Sequence, residues 1–119
     1  MNTRVRPKIS VITISFNSYN TIEKTIKSVI GQTYPDIEFI LVDSGSTDGT
    51  VDILNRYRDR IDILRIEPDM GIYDAMNKGI SLSSGDWICF MNSNDHFYND
   101  TVIEDVFSGG TDGDIIYGY

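Results

Sequence analysis

Four polar residues, Asn92-Ser93-Asn94-Asp95, follow directly on the apolar run WICFM at 87–91. One carboxylate among side-chain amides is an oxygen-only donor set. Mg²⁺ and Mn²⁺ are hard cations that take such donors, and Mg²⁺ commonly combines one or two carboxylates with phosphate oxygens of a substrate. Asp95 is therefore a candidate metal ligand. It would bind a cation weakly unless a phosphate-bearing ligand were present. Asn92 can offer its carbonyl oxygen to a ligand hydroxyl or to a cation-bound water, and Ser93 adds a hydroxyl. The alternative is a polar turn in which Asp95 caps the chain that follows. A second acid, Asp43, ends another apolar run, FILV at 39–42. A carboxylate only accepts hydrogen bonds, so it can select a ligand ring by an N–H, or it can close the following turn as an Asx motif. Ser44, Ser46, Thr47 and Asp48 then make a hydroxyl-rich turn; one of them is expected to cap a helix, and a ribose or phosphate contact is compatible with that. Gly45 and Gly49 serve backbone geometry.

These residues need a scaffold that brings them together. The chain has 119 residues, 40 % hydrophobic and 24 % charged, which suits one domain with one modest core. Residues 8–15, KISVITIS, read as a buried strand. A helix follows, with Asn20 and Glu23 as an N-x-x-E capping box and Ile22, Ile26, Val29 and Ile30 as its apolar stripe; Gly31 and Pro35 end it. A strand over 39–42, a loop over 44–49, and a helix opening near Asp48 with Val51, Leu54 and Tyr57 inward come next. A third strand spans 61–66. Ile72, Met76 and Ile80 predict a third helix, followed by a strand over 87–91 and a loop over 92–99. Val102, Val106 and Phe107 suggest a short helix, and 114–117 another strand. This alternation predicts a mostly parallel, twisted sheet flanked by helices. Ligands in such sheets sit outside the carboxyl ends of the strands, which singles out the loops 15–20, 43–50 and 92–99.

Composition excludes several classes. A net charge of −8 argues against nucleic-acid partners, which need a basic surface. It also opposes a bare phosphate ligand, and a carboxylate-bound divalent cation removes that conflict. The single cysteine, Cys89, leaves no internal disulfide or cysteine zinc cluster and makes a cytoplasmic location the default, with the inner face of a membrane compatible in a longer protein. No run reaches the roughly 20 apolar residues a membrane helix needs, and the basic, polar start does not read as a signal peptide. The first loop, Ser15-Phe16-Asn17-Ser18-Tyr19-Asn20, has no glycine, so the dinucleotide G-x-G-x-x-G is absent, as is the P-loop pattern.

PKISVITISFN, FILVDSGSTDGT and DMGIYDAMNKGISLSSGDWICFMNSND resemble, in order and spacing, three blocks of family 2 glycosyltransferases. The likeness runs from Pro7 to about Phe97. It implies a GT-A-type fold and metal-dependent, inverting transfer of a sugar from a nucleoside-diphosphate sugar, UDP by default, to a glycan, lipid-linked or polysaccharide acceptor. It implies that Asp43 accepts from the base, that Phe16 lies against it, and that Asp69 borders base and ribose, an acid that alternatively favours a helix N-terminus. Ser15, Asn17, Ser44, Ser46, Asn92 and Ser93 join this donor site. Lys78 could reach the diphosphate, or lie on a solvated helix face. Asp95 sits where the family's D-x-D motif ends, but Asn stands at 92 and 94, so one acid takes the place of two. His96 and the tyrosines 73, 98, 117 and 119 are weaker candidates. By the same resemblance the general base lies beyond Tyr119. The chain then reads as one donor-binding domain, residues 1–119, without its acceptor half, and inactive alone. Apolar surface left at residues 115–117 would favour self-association. A nucleotidyltransferase, which wants a basic glycine-rich first loop, and a non-catalytic nucleotide-binding module are the rival readings.

Overall fold

The computed structural model describes residues 7–68, 71–108 and 116–117. The elements run β1 (Ile9–Ser15), α1 (Ile22–Ile30), β2 (Ile37–Asp43), α2 (Thr50–Arg56), a 3₁₀ turn (Arg58–Arg60), β3 (Ile63–Ile66), α3 (Ile72–Leu82), β4 (Trp87–Phe90), α4 (Val102–Ser108) and β5 (Ile116–Tyr117). All strand pairs are parallel, in the order β3-β2-β1-β4-β5. The central strand β1 pairs with β2 along its whole length, from Ile9 opposite Ile37 to Ser15 opposite Asp43. That register brings the ends of the first two strands, and the loops that leave them, to one edge.

Alternation along β1 divides the core. Ile9 and Val11 face α1, α2 and α4 with Ile22, Ile26, Val29, Ile53, Leu54 and Ile103, all buried. Ile12, on the other face, packs with Ile40, Val42 and Ala75 of α3. Helices thus cover both faces, as the strand–helix alternation predicts.

Three local expectations are corrected. The capping box does not form: Thr21 is the N-cap, no side chain caps α1, and Glu23 instead accepts from the Tyr57 hydroxyl at 2.6 Å. In α2 the buried residues are Thr50, Ile53 and Leu54, and Tyr57 packs against the same core, so Leu54 and Tyr57 face inward as expected while Thr50 and Ile53, rather than Val51, complete the buried face. In α3, Ile72 and Ile80 are exposed, and the buried residues are Ala75 and Gly79. A Cβ on Gly79 would stand 2.5 Å from Ile12 Cγ2. The helix lies too close to the sheet for large side chains at the contact, so the small-residue stripe goes inward.

Candidate functional site

A cleft of about 810 Å³ opens at the carboxyl ends of the strands. It is lined by Ile14, Phe16, Asn17, Ser18, Ser44, Gly71, Ile72, Asn92, Ser93, Asn94 and Asp95. Three separate loops therefore converge, each delivered by its own strand, where an open α/β sheet places ligands.

The first two loops are cross-stitched. Asn17 has φ 49°, a left-handed conformation that Asn tolerates better than most residues. So placed, its N–H donates to Ser46 Oγ at 2.8 Å while its own Oδ1 accepts the Thr47 N–H at 2.9 Å. Ser18 N–H donates to Thr50 Oγ1 at 2.9 Å, and Tyr19 N–H to Asp48 Oδ2 at 3.1 Å. Asp48 Oδ1 also accepts the Thr50 N–H and hydroxyl at 3.0 and 2.5 Å, closing the turn that starts α2. The Thr50 hydroxyl bond, with the Tyr19 and Thr50 N–H groups behind it, outweighs burial and holds the Asp48 carboxyl below its ordinary range.

Asp43 lies beneath this surface. It is fully buried, and its four acceptor positions are filled from within. Oδ1 accepts the hydroxyls of Ser15 and Ser46, each at 2.6 Å, and Oδ2 accepts the N–H groups of Gly45 and Ser46 at 3.0 and 2.8 Å. Ser15 and Ser46 are committed to the same cluster. Asp43, Ser15 and Ser46 thus do not line the cleft, and the Asx-type turn is the geometry Asp43 adopts; they shape the loop that carries Ser44.

The third loop hangs on α1. Four polar residues meet the loop in sequence: Thr21 at the N-cap, Thr25 and Ser28 within the helix, and Gln32 just past its end. Thr21 Oγ1 donates to Asn94 Oδ1 at 3.0 Å. Thr25 Oγ1 donates to Ser93 O at 3.1 Å and lies at hydrogen-bonding distance from Asp95 O. Ser28 Oγ accepts the Phe97 N–H at 3.1 Å. Gln32 donates to Asn99 O at 2.7 Å and accepts the Ile103 N–H at 3.0 Å. The first and third loops meet where Ser18 Oγ and Ser93 Oγ share a hydrogen bond of 2.7 Å.

Among the expected site residues, Phe16, Asn17, Ser44, Asn92, Ser93 and Asp95 reach the cleft. Phe16 is 57 % exposed, a ring face open to a partner. Lys78 does not reach it: its ammonium pairs with Glu67 at 3.1 Å and Asp74 at 3.7 Å and donates to Pro68 O, beside a separate small depression. Acids on its own helix and on the chain before it claim the charge that was expected to meet a diphosphate. Asp69, Tyr119 and the apolar surface expected at residues 115–117 lie outside the described residues or side chains. His96 is half-buried and Tyr73 and Tyr98 are exposed, all three outside the cleft lining. Ser18, Gly71 and Ile72 line the cleft without having been singled out; Ser18 was legible only as part of a polar loop.

Among the described residues no group of three or more His, Cys, Asp or Glu can hold a metal ion. Asp95 is the one carboxylate among the described residues that line the cleft, and Asn94 gives its side-chain oxygen to Thr21. The donor set therefore fits a cation only in company with ligand oxygens, the mixed coordination common for Mg²⁺.

Comparison with known proteins converges on one family. The sequence model for Glycosyl transferase family 2 matches residues 10–109. A protein of Mycobacterium tuberculosis named an uncharacterized glycosyltransferase is 44 % identical over 98 residues, 82 % of this chain and 37 % of that protein. TuaG of Bacillus subtilis (strain 168), named a teichuronic acid biosynthesis glycosyltransferase, is 40 % identical over 103 residues, 84 % of this chain and 41 % of that protein. The chain thus spans about two fifths of the length of these curated relatives. Among solved structures, TarS 1-349 of S. aureus in complex with UDP-GlcNAc superposes with a TM-score of 0.73 at 28 % identity, over 83 % of this chain and 30 % of that one. Mannosyltransferase PcManGT of Pyrobaculum calidifontis, in complex with GDP-Man and Mn²⁺, does so with a TM-score of 0.74 at 25 % identity, over 81 % of this chain and 30 % of that one.

Proposed function

Because the chain belongs to glycosyl transferase family 2 and has its GT-A fold, we propose that the cleft binds the nucleoside diphosphate of a sugar donor, UDP by preference, together with Mg²⁺ or Mn²⁺. The observation that carries this is the convergence of Phe16, Ser44 and Asp95 from three strand ends on one cleft. Phe16 offers a stacking face for the base, an interaction that tolerates many bases. Ser44, Asn17, Asn92 and Ser93 surround the ribose and diphosphate. Asp43 acts on the base through the loop it holds. Asp95 and Asn92 would hold the cation, which when bound offsets the charge that gathers on the departing diphosphate. The complexes of TarS with UDP-GlcNAc and of PcManGT with GDP-Man and Mn²⁺ support a nucleotide-sugar ligand and a divalent cation.

The reaction served is inverting transfer of the sugar to a glycan, lipid-linked or polysaccharide acceptor. It needs a base within about 3 Å of the acceptor proton. Asp95 is the only acid at the described cleft and is assigned to the cation, so the donor half of the reaction is what these residues supply. No described helix is long and apolar enough to cross a membrane; a cytoplasmic setting beside an inner membrane face suits a lipid-linked acceptor and a cytosolic sugar nucleotide.

Calorimetry with UDP, GDP and dTDP, each with Mn²⁺ and with EDTA, tests the reading. UDP should bind at least tenfold more tightly with Mn²⁺, and Asp95→Ala should remove that difference. UDP binding that ignores both chelation and Asp95→Ala would remove Asp95 from the site.

A further inference from the structure

We propose that Thr25 is a positioning residue for the cation-binding turn, its buried hydroxyl setting where Asp95 stands; the functional half of this inference rests on the donor-site reading above. Thr25 lies in the middle of α1, is 1 % exposed, and interrupts an otherwise apolar inner stripe of Ile22, Ile26 and Val29. A threonine inside a helix ordinarily donates back to the carbonyl four residues earlier. Here that contact, to Thr21 O, is 3.4 Å long, while Ser93 O stands at 3.1 Å and Asp95 O is close beside it. The hydroxyl is directed out of its own helix to the loop.

Two carbonyls two residues apart meeting at one hydroxyl require the chain between them to curl. The curl is closed by the Asp95 N–H, which donates to Asn92 O at 3.0 Å. Residues 92–95 of this curl line the cleft. Thr21, one helical turn before Thr25, then takes the Asn94 side-chain oxygen, which leaves Asn92 and Asp95 as the free donors. The Ser18–Ser93 bond fixes the turn laterally. With one carboxylate among the described residues of the cleft, no second described acid defines the geometry, so the turn itself must be preorganised, and one buried hydroxyl, with a single proton to donate, sits between two of its carbonyls. Positional errors of about an ångström at such sites are costly.

The test compares Thr25→Val, Thr25→Ser and, as a control, Ser10→Ala. Ser10 is also fully buried and joins Glu38 and Gly85 in a network outside the cleft, so its loss costs stability without touching the turn. In the ligand-free protein, amide hydrogen exchange at Asp95 should accelerate about tenfold or more in Thr25→Val, return towards wild type in Thr25→Ser, and stay unchanged relative to global stability in Ser10→Ala. With UDP, the ratio of affinity in Mn²⁺ to affinity in EDTA should fall about tenfold in Thr25→Val only. Unchanged exchange at Asp95 in a folded Thr25→Val protein overturns the inference whatever the ligand. Accelerated exchange, with a wild-type protein whose UDP affinity ignores Mn²⁺, would retain Thr25 as the support of the turn and overturn the cation reading instead.

Discussion

Replacing Asp43 by Asn keeps the side chain's shape and removes its charge, so the effect can be worked from four hydrogen bonds. An asparagine with its amide nitrogen at the Oδ1 position and its oxygen at Oδ2 keeps the two main-chain partners, Gly45 and Ser46. The nitrogen then donates to the hydroxyls of Ser15 and Ser46, which rotate to accept. Every main-chain partner is retained, and what is lost is charge assistance. Bonds to charged groups contribute about 1.5–3 kcal/mol against about 0.5–1.5 for neutral ones, roughly 1 kcal/mol per bond. Four bonds give an upper bound of about 4 kcal/mol, and relief of a buried charge offsets part of it. The expected loss is about 2 kcal/mol, or roughly 8 °C in melting temperature for a domain of this size. Asp43→Ala instead leaves two partly buried N–H groups without their acceptor and opens a cavity at a buried site, and should cost about 4 kcal/mol. Urea unfolding of the three proteins, at constant slope, measures both differences. If Asp43 served only as an exposed base contact, both variants would keep wild-type stability and lose only nucleotide affinity; that result would refute the reasoning from the buried cluster.

Gly79→Ala should destabilise by about 1 kcal/mol in the same assay, because overpacking against Ile12, about 1–3 kcal/mol, outweighs a helix-propensity gain of up to about 1; a stabilised variant would mean α3 lies farther from the sheet. Glu38 is pushed up by burial, but the Ser84 N–H, the Ser10 and Ser84 hydroxyls and the Lys8 charge more than offset this and leave its pKa below the ordinary 4.5. Its contribution is therefore present above about pH 4.5 and lost as pH falls through the lower folded value, so Glu38→Gln should flatten the acid limb of a stability–pH curve, and an unchanged limb would discount the network. Burial lifts the Cys89 thiol to about 12, so it should resist alkylation at neutral pH until the protein unfolds; rapid labelling of the native protein would contradict its place in the core.

The strand pattern was legible because parallel strands buried on both faces read as near-continuous apolar runs, as ISVITIS and the FILV of IEFILVD do. The three ligand-side loops followed from topology alone. What periodicity could not decide was which of two stripes on α3 faces the sheet. Ile72, Met76 and Ile80 recur at helical spacing, but so do Ala75 and Gly79, and the closeness of approach that selects the smaller pair is a tertiary fact. Likewise Glu23 has the spacing of a capping box, yet Tyr57, 34 residues away in sequence, claims its carboxylate. Asp43 and Lys78 were placed by residue type; partners from the turn itself and from Glu67 and Asp74 decided where their charges went. Thr25 is not legible as a loop support because a hydroxyl within an apolar stripe ordinarily bonds back into its own helix, and Ser28 and Gln32 read as the solvent edge of that stripe.

The most direct test of the donor-site account is a crystal structure of this chain soaked with a UDP-sugar and Mn²⁺. The account expects the diphosphate in the cleft between Ser44 and Asn92, the base against Phe16, and the Mn²⁺ anomalous signal within bonding distance of an Asp95 carboxylate oxygen. Nucleotide bound elsewhere on the protein, or Mn²⁺ in the cleft with Asp95 turned away from it, would contradict the account.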